Sequence, residues 1–251
     1  MLTVVAQTAY PPSAASARVR LAAFAPFLAE HGIDLDYRPT LTDAQYAALS
    51  HGRQAVLTAR AVVASAVALA RRPDGLLLVH RLRALLPVPG LEFSPRIDAY
   101  DFDDAMYERS GSQTVWARRV LKAEARRWAR YVAAARLVVA GNAELASAAR
   151  ERSGRVEVIP SCVDPSRYVL RGHRDRSPVT VGWLGSRTTS PFLARVVPAF
   201  ERLNRDRLRA RLIVVGAGSL PTARWLEQRP WSIEREAADL REFDIGIMPM
   251  P

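Results

Sequence analysis

The chain has 251 residues, 49% hydrophobic and 24% charged, with a formal net charge of +11. Length and apolar content suffice for one or two ordinary cores, which excludes a disordered chain and points to a globular α/β protein. One cysteine, Cys162, and four histidines exclude an internal disulfide and any Cys/His zinc spacing.

The positive charge is almost wholly arginine, Lys122 being the one lysine. With the abundance of Ala and Val, this bias is what GC-rich coding sequence produces; an anionic ligand, a nucleic acid or a membrane surface is the competing explanation. Met1 to Val5 carries no basic leader and no cleavage-like site. The apolar stretch Ala61–Ala70, set between Arg60 and Arg71, falls short of the roughly 20 residues a membrane helix needs. The expectation is a cytoplasmic protein, with a peripheral position at the inner face of the membrane as the alternative.

In chain order, Leu2–Ala6 reads as a strand leading through Pro11-Pro12-Ser13 into a helix whose Val19, Ala23, Phe24, Phe27 and Leu28 recur at helical spacing up to Gly32. Ile33, Leu35 and Tyr37 alternate as a strand does, completing a βαβ unit. Thr42 and Gln45 form a capping box that opens a long helix to about Arg72. Strands follow at Leu76–Val79 and Ile97–Tyr100, then an acidic turn, a helix Thr114–Ala134, a strand Leu137–Ala140, a helix Ala143–Arg150 and a strand Val156–Ile159. Asp164–Pro178 turns polar, which places a domain boundary there and divides the chain into residues 1–170 and 171–251. A second βα series begins at Val179–Leu184, continues with a helix to about Arg209, strands at Leu212–Val215 and Trp231–Ile233, and ends on the apolar run Phe243–Met248. Apolar strands separated by helices mean parallel sheets covered on both faces, hence two Rossmann-like units.

Ligands of such sheets bind off the carboxyl ends of the strands. The residues there are polar: Ser13, Arg18 and Arg20 after the first strand, His80 and Arg81 after Val79, Asp101, Asp103 and Asp104 after Tyr100, and Gly141-Asn142 after Ala140. Each alone reads as a solvated loop or a cap, Asn142 especially; together they form a cleft rim. The acidic cluster has three readings: a metal site, an orienter or base for a sugar hydroxyl, or a helix cap. Metal is disfavoured because no second acidic cluster of that density occurs. In the second unit, Gly182-Trp183-Leu184-Gly185-Ser186, followed by Arg187, Thr188 and Thr189, is a strand opening through glycine into a helix start, able to hold a phosphate. Gly216-Ala217-Gly218 fails as a dinucleotide fingerprint because Pro221 stands at the third glycine position, which weighs against an oxidoreductase. The basic helix with Arg118, Arg119, Lys122, Arg126, Arg127 and Arg130 reads as a solvated face with Trp116 and Trp128 in the core, a membrane-lying helix being the alternative. Cys162 reads as a small filler after a strand rather than a nucleophile.

Five stations in this order resemble family 4 retaining glycosyltransferases of the GT-B fold: Tyr100–Ala105, Gly141-Asn142 with Leu145, Val158–Asp164, Gly182–Ser186 and Phe243–Pro249. The resemblance implies a first unit that binds the acceptor, a glycan, a lipid-linked molecule or a small molecule, and a second that binds a nucleotide-diphosphate sugar, with retention, no metal and no resident cofactor. It puts Ser13, Arg18, Arg20, His80, Arg81 and Asn142 on the acceptor, Asp101, Asp103 and Asp104 as catalytic candidates, and Gly185, Ser186, Arg187, Thr188, Thr189, Trp231 and Glu234 on the donor. Catalysis in such enzymes is mainly electrostatic positioning. The family continues beyond the Met248-Pro249 strand into further donor-binding elements, so the resemblance implies an incomplete second unit and an activity reduced or lost by truncation. The reading from a different class is a non-catalytic anion, nucleotide or nucleic-acid binder using the arginine-rich surface, whose affinity would fall steeply with salt.

Overall fold

The computed structural model describes residues 1–50, 55–71, 73–93, 96–108, 123–172, 175, 177–187 and 189–250. They form two compact units, Met1–Val163 and Asp164–Pro251, each built on its own parallel sheet. Among the described residues no helix is long and apolar enough to cross a membrane.

The first unit runs β1 (Leu2–Thr8), α1 (Ala15–Arg20), α2 (Ala25–Glu30), β2 (Ile33–Pro39), α3 (Asp43–Ser50), α4 (Ala55–Ala70), β3 (Leu76–His80), β4 (Ala99–Phe102), α5 (Glu124–Ala134), β5 (Leu137–Ala140), α6 (Ala143–Arg150) and β6 (Val156–Val158). The strand order is β2-β1-β3-β4-β5-β6, with every neighbouring pair parallel. The chain moves outward from β1 to β2, then reverses to β3 on the other side of β1. That reversal makes the carboxyl ends of β1 and β3 a topological switch point, where a crevice forms in sheets of this kind.

Side-chain alternation decides which face does what. Tyr100 and Phe102 of β4, with Leu77, Val79, Val138 and Ala140, pack in one core with Trp128, Tyr131 and Val132 of α5 and Leu145, Ala146 and Ala149 of α6. Asp101 and Asp103, one residue out of phase, fall on the opposite side. The capping box forms at α3: the Thr42 N–H donates to Gln45 Oε1 at 2.8 Å and the Gln45 N–H to Thr42 Oγ1 at 3.2 Å. Of the helix expected from Thr42 to Arg72, α3 and α4 are described, and residues 51–54 and 72 lie outside the described residues. The helix expected before Gly32 is broken into α1, a 3-10 turn Ala22–Phe24 and α2, because Pro26 in the first turn of α2 has no N–H to carry the ladder through.

Of the helix expected over Thr114–Ala134, α5 is described; Trp116, Arg118, Arg119 and Lys122 lie outside the described residues. The solvated-face reading fails for Arg127, which is 3% exposed. Arg127 Nε donates to Glu92 Oε1 at 2.6 Å and Nη2 to the Ala84 carbonyl at 2.6 Å, and the Tyr131 hydroxyl donates to the same carboxylate. A charge can be buried there because it is paired and hydrogen-bonded on several sides.

The second unit runs β7 (Val179–Leu184), a 3-10 turn Ser190–Arg195, α7 (Val197–Leu203), β8 (Ala210–Val215), β9 (Leu226–Arg229), α8 (Glu236–Leu240) and β10 (Ile245–Gly246). Its order is β10-β7-β8-β9, again parallel, over a core of Trp183, Leu193, Phe200, Leu212, Val214 and Trp225. The third strand of this unit is Leu226–Arg229, not Trp231–Ile233: Pro230 has no N–H to donate to the ladder, so Trp231 begins the following loop. The helix expected to reach Arg209 stops at Leu203, where Asn204 turns the chain by accepting the N–H groups of Arg209 and Ala210 at 2.8 and 3.0 Å.

The units divide at Val163/Asp164 rather than at 170/171. The polar connector is fastened to the second unit: the Tyr168 hydroxyl donates to Glu236 Oε1 at 2.7 Å, and Arg171 Nη2 donates to Asp244 Oδ1 at 2.7 Å and the Phe243 carbonyl at 3.0 Å. Cys162 is exposed and fills no core space.

Candidate functional site

At the first unit's switch point, a hydrogen-bonded array joins α1 to the ends of β3 and β4. Asp101 is its anchor. The Arg20 guanidinium pairs with both oxygens of this carboxylate, Nε at 3.2 Å from Oδ2 and Nη2 on Oδ1, and its Nη1 donates to the Ile159 carbonyl at 2.5 Å. His80, fully buried, has Nδ1 2.6 Å from Asp101 Oδ2 and Nε2 2.8 Å from Ser16 Oγ. A carboxylate only accepts, so the Asp101 contact fixes a hydrogen on Nδ1. Ser16 Oγ gives its one hydrogen to Asp103, whose two oxygens lie 3.0 and 2.9 Å away, and Arg81 Nε donates to Asp103 Oδ1 at 2.6 Å.

Burial by itself would raise the Asp103 carboxyl, but the charge and hydrogen bond of Arg81, with His80 and the Ser16 hydroxyl, outweigh it and hold the group below the usual carboxylate range. Arg81 sits at φ +53°, a backbone state that costs energy for a residue with a Cβ. Two bonds hold it there: its N–H donates to the Asp101 carbonyl at 2.9 Å, and its carbonyl accepts from the Tyr100 hydroxyl at 3.0 Å. The result aims the guanidinium at Asp103 and, at 3.6 Å, Asp104.

The three carboxylates of one short motif thus differ in reach, with side-chain exposures of 6% for Asp101, 15% for Asp103 and 67% for Asp104. Asp101 organises the array from inside; Asp103 and Asp104 are the ones a ligand can touch. Arg20 is spent in the same way on Asp101 and Ile159. The Asn142 carboxamide accepts the Leu145 N–H at 2.8 Å and caps α6. The Ser13 hydroxyl is a buried atom with no hydrogen-bond partner among the described residues. Tyr10 and Tyr46 meet edge to face at 5.9 Å between ring centroids, close enough to Arg18 and Arg81 for both cations to act on the Tyr46 phenol. Sequence reading missed Tyr10, Ser16 and Tyr46. Ser16 looks like an ordinary first-turn helix residue, and Tyr46 belongs to a helix after the neighbouring strand.

In the second unit, the loops after β7, β8 and β9 converge. Gly185 donates its N–H to the Val215 carbonyl at 3.1 Å, and Gly216 to the Arg229 carbonyl at 3.0 Å. Gly216 has φ +83°, and a Cβ there would run into the Gly185 carbonyl oxygen and lie 3.2 Å from Trp231 Cβ. Only glycine therefore lets these three loops close together. The guanidinium of Arg187 lies alongside Gly218. Ser186 and Thr189 brace the turn, the Ser186 N–H donating to Thr189 Oγ1 at 3.2 Å and the Thr189 hydroxyl to the Ser186 carbonyl at 3.2 Å. Thr188 lies outside the described residues. The Trp231 indole N–H donates to Glu236 Oε2 at 2.8 Å, so Glu236, also bound by Tyr168, fixes the Trp231 side chain beside Gly216. Glu234 is exposed. Glu236 and Tyr168 were not legible as site residues, since their positions follow from where the connector returns.

No protein-family model matches the sequence, and no curated protein matches it. Among solved structures, the fold is similar to that of an α,α-trehalose 6-phosphate synthase from Burkholderia multivorans, with a TM-score of 0.55 and 14% sequence identity over 98% of this chain and 77% of that one. The likeness shows the fold: an α/β chain of two Rossmann-like parallel-sheet units, of the GT-B class.

Proposed function

We propose that the protein is a glycosyltransferase that moves a sugar from a nucleotide-diphosphate sugar to an acceptor hydroxyl, with retention, in the manner of the family 4 enzymes its motifs resemble. The observation that carries this reading is the glycine-closed cradle of Gly185, Gly216 and Trp231 at the carboxyl ends of β7, β8 and β9, in a chain whose fold is similar to that of a trehalose 6-phosphate synthase. A diphosphate needs close approach to the backbone and a nearby cation, and the glycine turns and the Arg187 guanidinium beside Gly218 offer these, the Gly185, Ser186 and Gly216 N–H groups being bonded within the turns themselves. In this reading Gly185, Ser186, Thr189 and Arg187 face the diphosphate, and Trp231 with Glu234 the nucleoside. No metal takes part.

The first unit holds the acceptor. Asp103 and Asp104 receive its hydroxyl groups, Ser13, Arg18 and Arg81 flank them, and Asp101, His80 and Arg20 act from behind as positioning residues through Ser16 and Asp103. Asn142 sets the loop that borders them. The work of the site is preorganised electrostatics, the largest single contribution in reactions that develop charge on a leaving group.

Calorimetric titration with UDP, GDP, ADP and their glucose conjugates tests the reading. One nucleotide should bind selectively, and Trp231→Ala should weaken it at least about tenfold, the scale of one lost stacking or packing contact. A chain that binds none of these nucleotides is not a nucleotide-sugar transferase of this kind.

A further inference from the structure

The edge of the first unit also carries information about what it accepts. Resting on the transferase reading above, we propose that the acceptor is a neutral, polyhydroxylated sugar rather than a phosphorylated or otherwise anionic one.

Charge balance is the first argument. Arg20 is matched by Asp101, and Arg81 by Asp103 and Asp104. Arg81, at the reachable rim, already has Asp103 at 2.6 Å and Asp104 at 3.6 Å. A phosphate approaching it would meet both carboxylates, whereas a neutral hydroxyl can donate to either without repulsion.

The second argument is the surface beside that rim. Tyr10 and Tyr46 present half-buried rings at right angles, and the Tyr37 hydroxyl pins this platform by donating to the Tyr10 carbonyl at 2.9 Å. Aromatic walls with a few fixed polar groups make a small-molecule site. Two hydroxyls at the same sheet edge, Ser13 Oγ and Thr40 Oγ1, are buried atoms without a partner among the described residues. Thr40 follows directly on β2, its N–H donating to the Thr8 carbonyl at 3.0 Å. An unsatisfied buried hydroxyl destabilises a fold, and a polyhydroxylated ligand seated at this edge would supply hydrogen bonds to both.

Saturation-transfer NMR on the full chain, with maltose and glucose 6-phosphate at equal ionic strength and the selected nucleotide present, tests this. Maltose ring protons should receive saturation in the wild type. Tyr46→Ala and Thr40→Val should each weaken maltose binding about fivefold or more, the size of one lost contact, with nucleotide affinity unchanged. Thr40→Val removes an unsatisfied hydroxyl, so its melting temperature should stay level or rise, which separates lost binding from lost folding. A stronger signal from glucose 6-phosphate, maltose binding that survives both substitutions, or no sugar binding in a protein that binds nucleotide would each overturn the proposal while leaving the transferase reading in place. Failure to bind any nucleotide would remove both.

Discussion

Replacing Asp101, Asp103 and Asp104 one at a time by Asn should give three very different losses of stability, although the residues sit within four positions of one another. Asp101 is buried, pairs with both the Nε and Nη2 sides of Arg20 and accepts from His80. Asp101→Asn leaves a guanidinium that is 3% exposed with one amide oxygen and the Ile159 carbonyl as its acceptors. Breaking a buried ion pair from one side costs about 3–5 kcal/mol. Asp103 has two donors, Ser16 and Arg81, at the margin of solvent, and hydrogen bonds to a charged group contribute about 1.5–3 kcal/mol. Asp104 is 67% exposed and 3.6 Å from Arg81, where exposed pairs contribute about 0–1 kcal/mol. For a unit of this size each kcal/mol shifts the midpoint by roughly 2–4 °C, so melting followed by circular dichroism should fall by roughly 10 °C, roughly 5 °C and barely at all. Equal losses, or a loss at Asp104 as large as that at Asp101, would refute the idea that the buried carboxylate organises the array.

Further outcomes follow from the same structure. Because the Asp103 carboxyl is held below its ordinary value, its contribution is complete above the unfolded value of about 3.9 and is lost as pH falls through the lower folded value; Asp103→Asn should flatten the acid limb of the stability profile below about pH 4 and leave the neutral region parallel. Arg127→Met strands the Glu92 carboxylate, which keeps the Tyr131 hydroxyl as a donor, and should cost about 3–5 kcal/mol in urea unfolding, whereas adding Glu92→Leu should recover much of it; strict additivity in that double-mutant cycle would contradict the pairing. Gly216→Ala forces a side chain into φ +83° and against the Gly185 carbonyl. It should abolish nucleotide binding in calorimetry, and unchanged affinity would count against the cradle.

Much of the architecture was legible along the chain because it depends on local signals. Continuous apolar runs such as Leu76–Val79 and Leu137–Ala140 mark strands buried on both faces, the Thr42/Gln45 pair marks a helix start, and the alternation of the two kinds of element fixes a parallel α/β chain. The candidate rim was also legible as a set of polar residues after apolar strands, since carboxyl ends of parallel strands share one edge whatever the detailed packing. Local reading failed where a single residue's missing donor or long-range partner decided the outcome: Pro230 ended β9 before Trp231, Pro26 broke the first helix, and Tyr168 with Arg171 drew the connector into the second unit.

Roles within the rim belong to tertiary structure alone. Asp101, Asp103 and Asp104 are equivalent as letters, and become anchor, contact and surface residue when α1 brings Arg20 and Ser16 against β4 across 81 and 87 positions of sequence. Arg127 looks like its neighbours Arg126 and Arg130 until the chain returns with Glu92 to its side of α5. The periodicity of a segment reports which residues turn inward, because that depends on backbone geometry. Which charges can remain inward depends on partners that only the folded chain supplies.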